Sequence, residues 1–273
     1  EMLYKVIDGA NIAYIKWDMN RTLTDVFSQG TSAELQGCIY HKYVLGVYKL
    51  YAKLISAFPN ILFESCSSGG ARFDAGMMYY APQAWCSDNT DGADRVRIQY
   101  GTSYGYPLSS IGAHVSAVPN QQTGRTVSID FRANVACFGT FGYELDLNHL
   151  DDQEFERVKE QIKFMKEYRE FLQYGKFYRL LSPYESDLAA WMVVSPDEKE
   201  ALVGVYTMRS MVNFVDGRIR LQGLDESALY CIGEQSYYGD ELMKAGLVLN
   251  GKNAPGFTKE TDYSSCLIHL IKK

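Results

Sequence analysis

Asp18 closes the run AYIKWD and Asp88 closes the run QAWCSD. Two carboxylates delivered to opposite sides of one pocket are what glycosidic-bond cleavage requires. One attacks or stabilises the anomeric carbon, and the other, kept protonated, gives its proton to the leaving oxygen. Strand alternation puts Tyr14, Lys16 and Asp18 on one face and Ala13, Ile15 and Trp17 on the other. A lysine and an aspartate on one face of a run otherwise apolar enough to be buried are costly unless paired or used. Lys16 would help keep Asp18 ionised and could donate to a sugar hydroxyl, whereas Asp88 needs burial or a neighbouring negative charge to stay protonated. The plainer alternatives are a structural ion pair for Lys16 and Asp18, and helix capping for Asp88 and Asp91 in SDNTDGADR.

Between these carboxylates lies CSSGGARFD, residues 66–74. A glycine-rich turn after a strand can cradle phosphate, but the segment lacks GxGxxG and GxxxxGK[ST]. A turn that brings the backbone of Gly69 and Gly70 close to a sugar ring fits the glycines as well. Cys66 has no histidine near it in sequence, and four histidines in the chain give little from which to build a Cys–His pair. His114 in GAHVSAVPN reads as a satisfied, half-buried histidine rather than a metal ligand. Trp17 and Trp85 suit core packing as well as they suit a sugar platform, and Trp85 joins the candidate binding set.

The elements that must position these groups repeat one theme through residue 150: a short apolar run, a polar cluster at its end, then a helical pattern. The runs are 12–18, 61–66, 83–88, 107–116 and 138–147. Residues 32–57 place Leu35, Ile39, Val44, Val47, Leu50 and Leu54 at helical spacing. Residues 92–101 and 124–138 are shorter helical segments, and 151–175 is the clearest helix, acidic in its first turn and stopped by Gly175. Such alternation predicts a parallel sheet with helical crossovers, whose sites lie at the C-terminal strand ends. After 176 the pattern changes to short β-like runs separated by Pro, Gly, Asp and Asn, which predicts an antiparallel β-sandwich. A sheet of about five parallel strands does not close an eight-stranded barrel, so it is either open or preceded by further strands.

The chain has 273 residues and a formal charge of −6. The acidic balance, with no basic block, argues against nucleic acid as a partner. No apolar run is long enough to span a membrane. Glu1 leads into mixed polar sequence, so no leader peptide is expected. Six scattered cysteines show no CxxC or CxxH spacing, which predicts neither a zinc site nor a disulfide framework and makes a cytoplasmic setting the expectation.

The blocks YIKWDMNR, FESCSSGGARFD, WCSDNTD, IQYGTS, GAHVSAVPNQQTGR and FGYELDL run in order across residues 14–147. Together they resemble glycoside hydrolase family 36, the bacterial-type α-galactosidases. The resemblance implies an α/β fold with part of a (β/α)8 barrel, about strands 4 to 8, over residues 1–175, and a C-terminal β-sandwich over 176–273. It implies a retaining exo-α-galactosidase that hydrolyses terminal α-1,6-linked galactose of melibiose- and raffinose-type sugars by double displacement. Asp18 matches the nucleophile, Asp88 the general acid/base, and Lys16 the lysine that contacts galactose hydroxyls. Cys66 and Gly69 match positions lining the sugar near its 2-hydroxyl. No cofactor or metal is implied, and the full-length enzyme would be a homo-oligomer acting on α-galactoside oligosaccharides. Gln121 stands where the family usually shows histidine, and Cys86 replaces a more usual threonine or tyrosine. Family members are much longer, with an N-terminal domain and first barrel strands that carry further sugar-binding residues, so this chain would be a fragment expected to be inactive alone. Within the family, galactosyl transfer and α-N-acetylgalactosaminidase action are alternatives. A non-catalytic assembly unit is the alternative outside it.

Overall fold

The computed structural model describes residues 1–20, 24, 26–210 and 217–273, so Arg21, which ends the YIKWDMNR block, lies outside the described residues. The chain divides into two compact units, Glu1–Asp88 and Asn89–Lys273.

The first unit opens with a short helix α1 (Met2–Asp8) and continues β1 (Tyr14–Asp18), α2 (Ile39–Ala57), β2 (Leu62–Cys66), α3 (Ala75–Tyr80) and β3 (Gln83–Ala84). The strands form one parallel sheet in the order β1-β2-β3, in register Lys16 to Glu64, Asp18 to Cys66, and Glu64 to Gln83. Ile15 and Trp17 of β1 and Phe63 of β2 turn toward α2, where they pack with Val47, Tyr51 and Leu54. The buried stripe of α2 is therefore Val47, Tyr51 and Leu54, while Val44 and Leu50, expected on the buried face, are exposed. The helix is apolar around more of its circumference than its neighbours in this unit cover. The opposite face of β1, with Tyr14, Lys16 and Asp18, is exposed rather than buried, which corrects the expectation from the apolar run. Among the described residues β1 is the edge of this sheet, and the side carrying Ile15 and Trp17 packs on the unit's core.

The second unit begins with α4 (Gly92–Thr102), β4 (Gly112–Ser116), α5 (Ile129–Ala136), β5 (Thr140–Glu144) and α6 (Asp152–Tyr174). β4 and β5 are parallel, from Gly112 opposite Thr140 to Ser116 opposite Glu144. Side-chain caps start all three helices: Asp91 for α4, Ser128 for α5 and Asp151 for α6. The 23-residue α6 ends at Gly175, as its sequence predicts.

There follow β6 (Lys176–Leu181), β7 (Leu188–Val194), β8 (Glu200–Thr207), β9 (Arg218–Ile219), β10 (Leu229–Ile232), β11 (Gln235–Tyr238), α7 (Gly239–Lys244), β12 (Leu247–Val248) and β13 (Ser265–Lys272). Six of these strands make one antiparallel sheet in the order β11-β10-β13-β8-β7-β6. All seven residues of β7 are buried because the sheet is covered on both faces. Ala190, Met192, Val203 and Val205 face a core shared with Ile219, Leu242 and Leu247 from the β9–β12 ribbon and α7. Trp191 and Tyr206, on the other face, pack with tilted rings 4.6 Å apart beside Phe138, and the Tyr206 hydroxyl donates to the Asn134 carbonyl of α5. The β layer opposite the six-stranded sheet is thus a two-stranded ribbon, with α7 packed in the same core. Among the described residues no helix is long and apolar enough to cross a membrane.

Candidate active site

Parallel pairing puts the last residues of β1 and β2, Asp18 and Cys66, opposite one another. Because alternate residues share a face, Tyr14, Lys16 and Asp18 line up with Glu64 and Cys66 on one side of the sheet. The ends of the two strands are laced together: the Met19 N–H donates to the Cys66 carbonyl at 3.1 Å, and the Ser67 hydroxyl donates to the Met19 carbonyl at 2.8 Å. Asn20 then joins the Asp18 carboxylate to the glycine-rich turn. Its side-chain N–H donates to Asp18 Oδ2 at 3.0 Å, and its Oδ1 accepts the Ser68 N–H at 2.7 Å.

The turn in turn rests on the segment that carries Asp88. Gly69 has φ +74°, and a Cβ there would stand 2.8 Å from the Asp88 nitrogen and 2.9 Å from Ser87 Cα. A Cβ on Gly70 would come 2.6 Å from the Cys86 carbonyl oxygen. Only glycine permits both the left-handed conformation at Gly69 and this close approach. The Trp85 N–H, donating to the Ser65 carbonyl at 2.9 Å, fixes the exit of β3 to that of β2. Asp88 is exposed and is not a helix cap. That role belongs to Asp91, 1% exposed, which accepts the N–H groups of Ala93 and Asp94 at 2.9 and 3.0 Å and pairs with the Arg125 guanidinium.

Lys16 Nζ stands 3.8 Å from Glu64 Oε1 and 4.7 Å from the centroid of the Trp85 ring. Trp85 is buried, so its indole face serves the ammonium. Burial pushes the Cys66 thiol up to about 11; the Lys16 ammonium opposes the shift and the Asp18 carboxylate beside it adds to it. The thiol is therefore neutral near pH 7 and is not a nucleophile in waiting. His114, on β4, is half-buried and lies 3.4 Å from Glu144 Oε2.

The structure thus brings Lys16, Asp18, Cys66, Gly69, Trp85 and Asp88 to the C-terminal ends of three consecutive parallel strands. Asn20, which orients Asp18, was not singled out by the sequence reading; Glu64, which that reading placed with Cys66 at the end of the second run, contacts Lys16. The alternation in FESC placed Glu64 on the same face as Cys66, but only strand pairing reveals that Lys16 is its neighbour.

A parallel α/β sheet with polar side chains gathered at its C-terminal strand ends, followed by an antiparallel β domain, is the arrangement of a barrel-class α/β protein whose sites form at those ends. Residues 1–175 match the family model Melibiase, and residues 188–270 match the Glycosyl hydrolase family 36 C-terminal domain. The chain belongs to glycoside hydrolase family 36. Alpha-galactosidase AgaA of Geobacillus stearothermophilus is 50% identical over 250 residues, which are 91% of this chain and 34% of that enzyme. Alpha-galactosidase 1 of Pediococcus pentosaceus is 48% identical over 248 residues, 90% of this chain and 34% of that protein. A crystal structure of substituted AgaA in complex with raffinose superposes with a TM-score of 0.94 at 46% identity, covering 100% of this chain and 37% of the AgaA chain. A second substituted form of AgaA was crystallised with stachyose and superposes equally well. The chain thus spans about a third of the length of the curated relatives it matches.

Proposed function

We propose that this chain carries the two catalytic aspartates of a retaining exo-α-galactosidase, with residues 1–175 as the barrel portion and 176–273 as the C-terminal domain. Asp18 attacks the anomeric carbon of a terminal α-1,6-linked galactose while Asp88 protonates the departing glycosidic oxygen. The Asp18–galactose ester is then opened by a water whose proton goes to Asp88, and galactose leaves with retained configuration. The two carboxyl groups of such an enzyme lie about 5–5.5 Å apart, close enough for direct attack with no water between. Lys16 donates to the galactose hydroxyls, and Cys66 and Gly69 border the 2-hydroxyl.

The observation that carries this reading is the continuous tie from Asp18 through Asn20 and Ser68 to the Gly69 turn, packed on the backbone of Asp88. It couples the positions of one carboxylate at the end of β1 and another in the segment after β3, which a helix cap would not need. A second support comes from AgaA. The aspartates substituted in its raffinose and stachyose complexes are separated along that chain by the same interval as Asp18 and Asp88 along this one. The test is to put residues 1–273 in place of the matching segment of AgaA and assay melibiose and raffinose, with product configuration read by NMR. Activity that survives Asp18→Asn or Asp88→Asn at parental levels, or an inverted product, overturns the assignment.

A further inference from the structure

Glu64 lies on β2 in register with Lys16 on β1 and Gln83 on β3, so the three side chains stand abreast on one face of the sheet. It is 2% exposed. Its Oε2 accepts hydrogen bonds from the Tyr14 hydroxyl and from Gln83 Nε2, the latter at 3.1 Å. Its Oε1 is buried and accepts none. A carboxylate withdrawn from water with one oxygen unsatisfied is strongly unfavourable unless a cation compensates it. Lys16 Nζ, 3.8 Å away, is beyond hydrogen-bonding distance but close enough for its charge to act. Burial, together with the bond to Glu64, raises the Tyr14 hydroxyl above its ordinary range, so it remains a neutral donor to the carboxylate.

A lysine has four rotatable bonds and loses much rotamer entropy when held in one place. Here the ammonium has a carboxylate oxygen on one side and the Trp85 indole face on another. Glu64 Oε1 is too buried to reach a ligand, so whatever it does for the site it does through Lys16. We propose that Glu64 is a positioning residue of the galactoside site: its unsatisfied Oε1 and the Trp85 ring together seat the Lys16 ammonium beside Asp18. This role rests on the reading of Lys16 as a sugar donor, but the seat itself can be tested without catalysis.

In the full 273-residue chain, acetylation of Lys16 is followed by mass spectrometry against Lys199, an exposed internal reference. Glu64→Gln keeps the side-chain size and removes the charge, and is expected to raise the relative Lys16 rate several-fold. An unchanged rate overturns the seat. Melting temperatures give a second reading should Glu64→Gln fold poorly. Lys16→Met leaves the Glu64 charge buried without a cation, so adding Glu64→Gln must recover part of the loss. A double variant less stable than Lys16→Met overturns the proposal. In AgaA carrying residues 1–273, Glu64→Gln is expected to raise KM for an aryl galactoside about tenfold with kcat within about threefold, because ground-state positioning is what it removes. A fall in kcat at unchanged KM contradicts it. Should the Asp18 and Asp88 variants of that enzyme stay active while Lys16 still responds to Glu64→Gln, the function assigned above fails and the seat stands.

Discussion

Asp88 and Asp91 lie three positions apart in one polar stretch, and their surroundings differ. Asp91 is buried, caps α4 and holds Arg125. Removing its carboxylate takes the acceptor from the Ala93 and Asp94 N–H groups and the Thr123 hydroxyl and leaves Arg125 paired with Asp94, so Asp91→Ala is expected to cost about 3 kcal/mol in urea unfolding. Asp88 is exposed and caps nothing, so Asp88→Asn should leave stability within about 0.5 kcal/mol. In AgaA carrying residues 1–273, the same Asp88→Asn is expected to lower kcat about 10²- to 10⁴-fold on raffinose. The loss shrinks on nitrophenyl galactosides, whose leaving group needs no proton. Equal losses on both substrates contradict an acid role. Cys66 supplies a pH dependence. Its thiol, ordinarily near 9, is raised to about 11, so the folded chain holds that proton more tightly than the unfolded one. The stabilisation is complete below pH 9 and is lost as pH rises through about 11; Tyr51, pushed up to about 12 by burial, acts in the same direction. Melting temperature should fall between pH 9 and 11, less steeply in Cys66→Ser.

The turn between β2 and α3 is the element on which the site depends most. Gly69→Ala forces a side chain into a left-handed conformation and into the Asp88 backbone. It is expected to destabilise by about 2 kcal/mol or more in denaturant unfolding, and to reduce turnover in AgaA carrying the segment by displacing Asp88. An unchanged unfolding midpoint contradicts that close packing. The glycines were visible in the sequence, but a sugar ring and a neighbouring backbone make the same demand for a missing Cβ, and only the fold reveals the backbone of Cys86–Asp88 against them. The same limit recurs elsewhere. α6 was legible because an acidic first turn, a long amphipathic pattern and a terminal glycine agree. α3 was not, because six residues give no periodicity, although Asp74, its cap, stood in plain sight. The ends of β1 and β2 were legible from alternation and punctuation, whereas β3, read over 83–88, is only Gln83–Ala84, so Asp88 lies beyond its end. The buried stripe of α2 was not, because its apolar residues cover more than one face and the sequence does not say which face meets a partner. Asn20, and the contact of Glu64 with Lys16, escaped notice for a related reason: each depends on a residue brought near by strand pairing, which local pattern does not encode.

At the scale of the molecule, the sheet of the first unit ends at β1, which pairs only with β2 among the described residues. The face of β1 with Tyr14, Lys16 and Asp18 is exposed, and so are Leu62 on β2, Met2 and Val6 on α1, and Leu45 and Leu50 on α2. A retaining displacement needs the galactose held on several sides while Asp18 attacks, because misplacement by about 1 Å costs about a hundredfold in rate. The chain spans about a third of its full-length relatives, and among the described residues the sheet that holds Asp18 has only the strands β1, β2 and β3. The isolated chain is therefore expected to hydrolyse nitrophenyl α-galactoside with kcat/KM more than about 10²-fold below AgaA, and to bind galactose too weakly for calorimetric detection. The same open edge and apolar surface should make it associate, with light-scattering mass rising with concentration. Both effects follow from one cause, so they should disappear together: in AgaA carrying residues 1–273 the edge strand acquires its neighbour, turnover returns and concentration-dependent association ceases. Appreciable turnover by the 273-residue chain alone, abolished by Asp18→Asn, would show that the three parallel strands and their loops hold the sugar unaided.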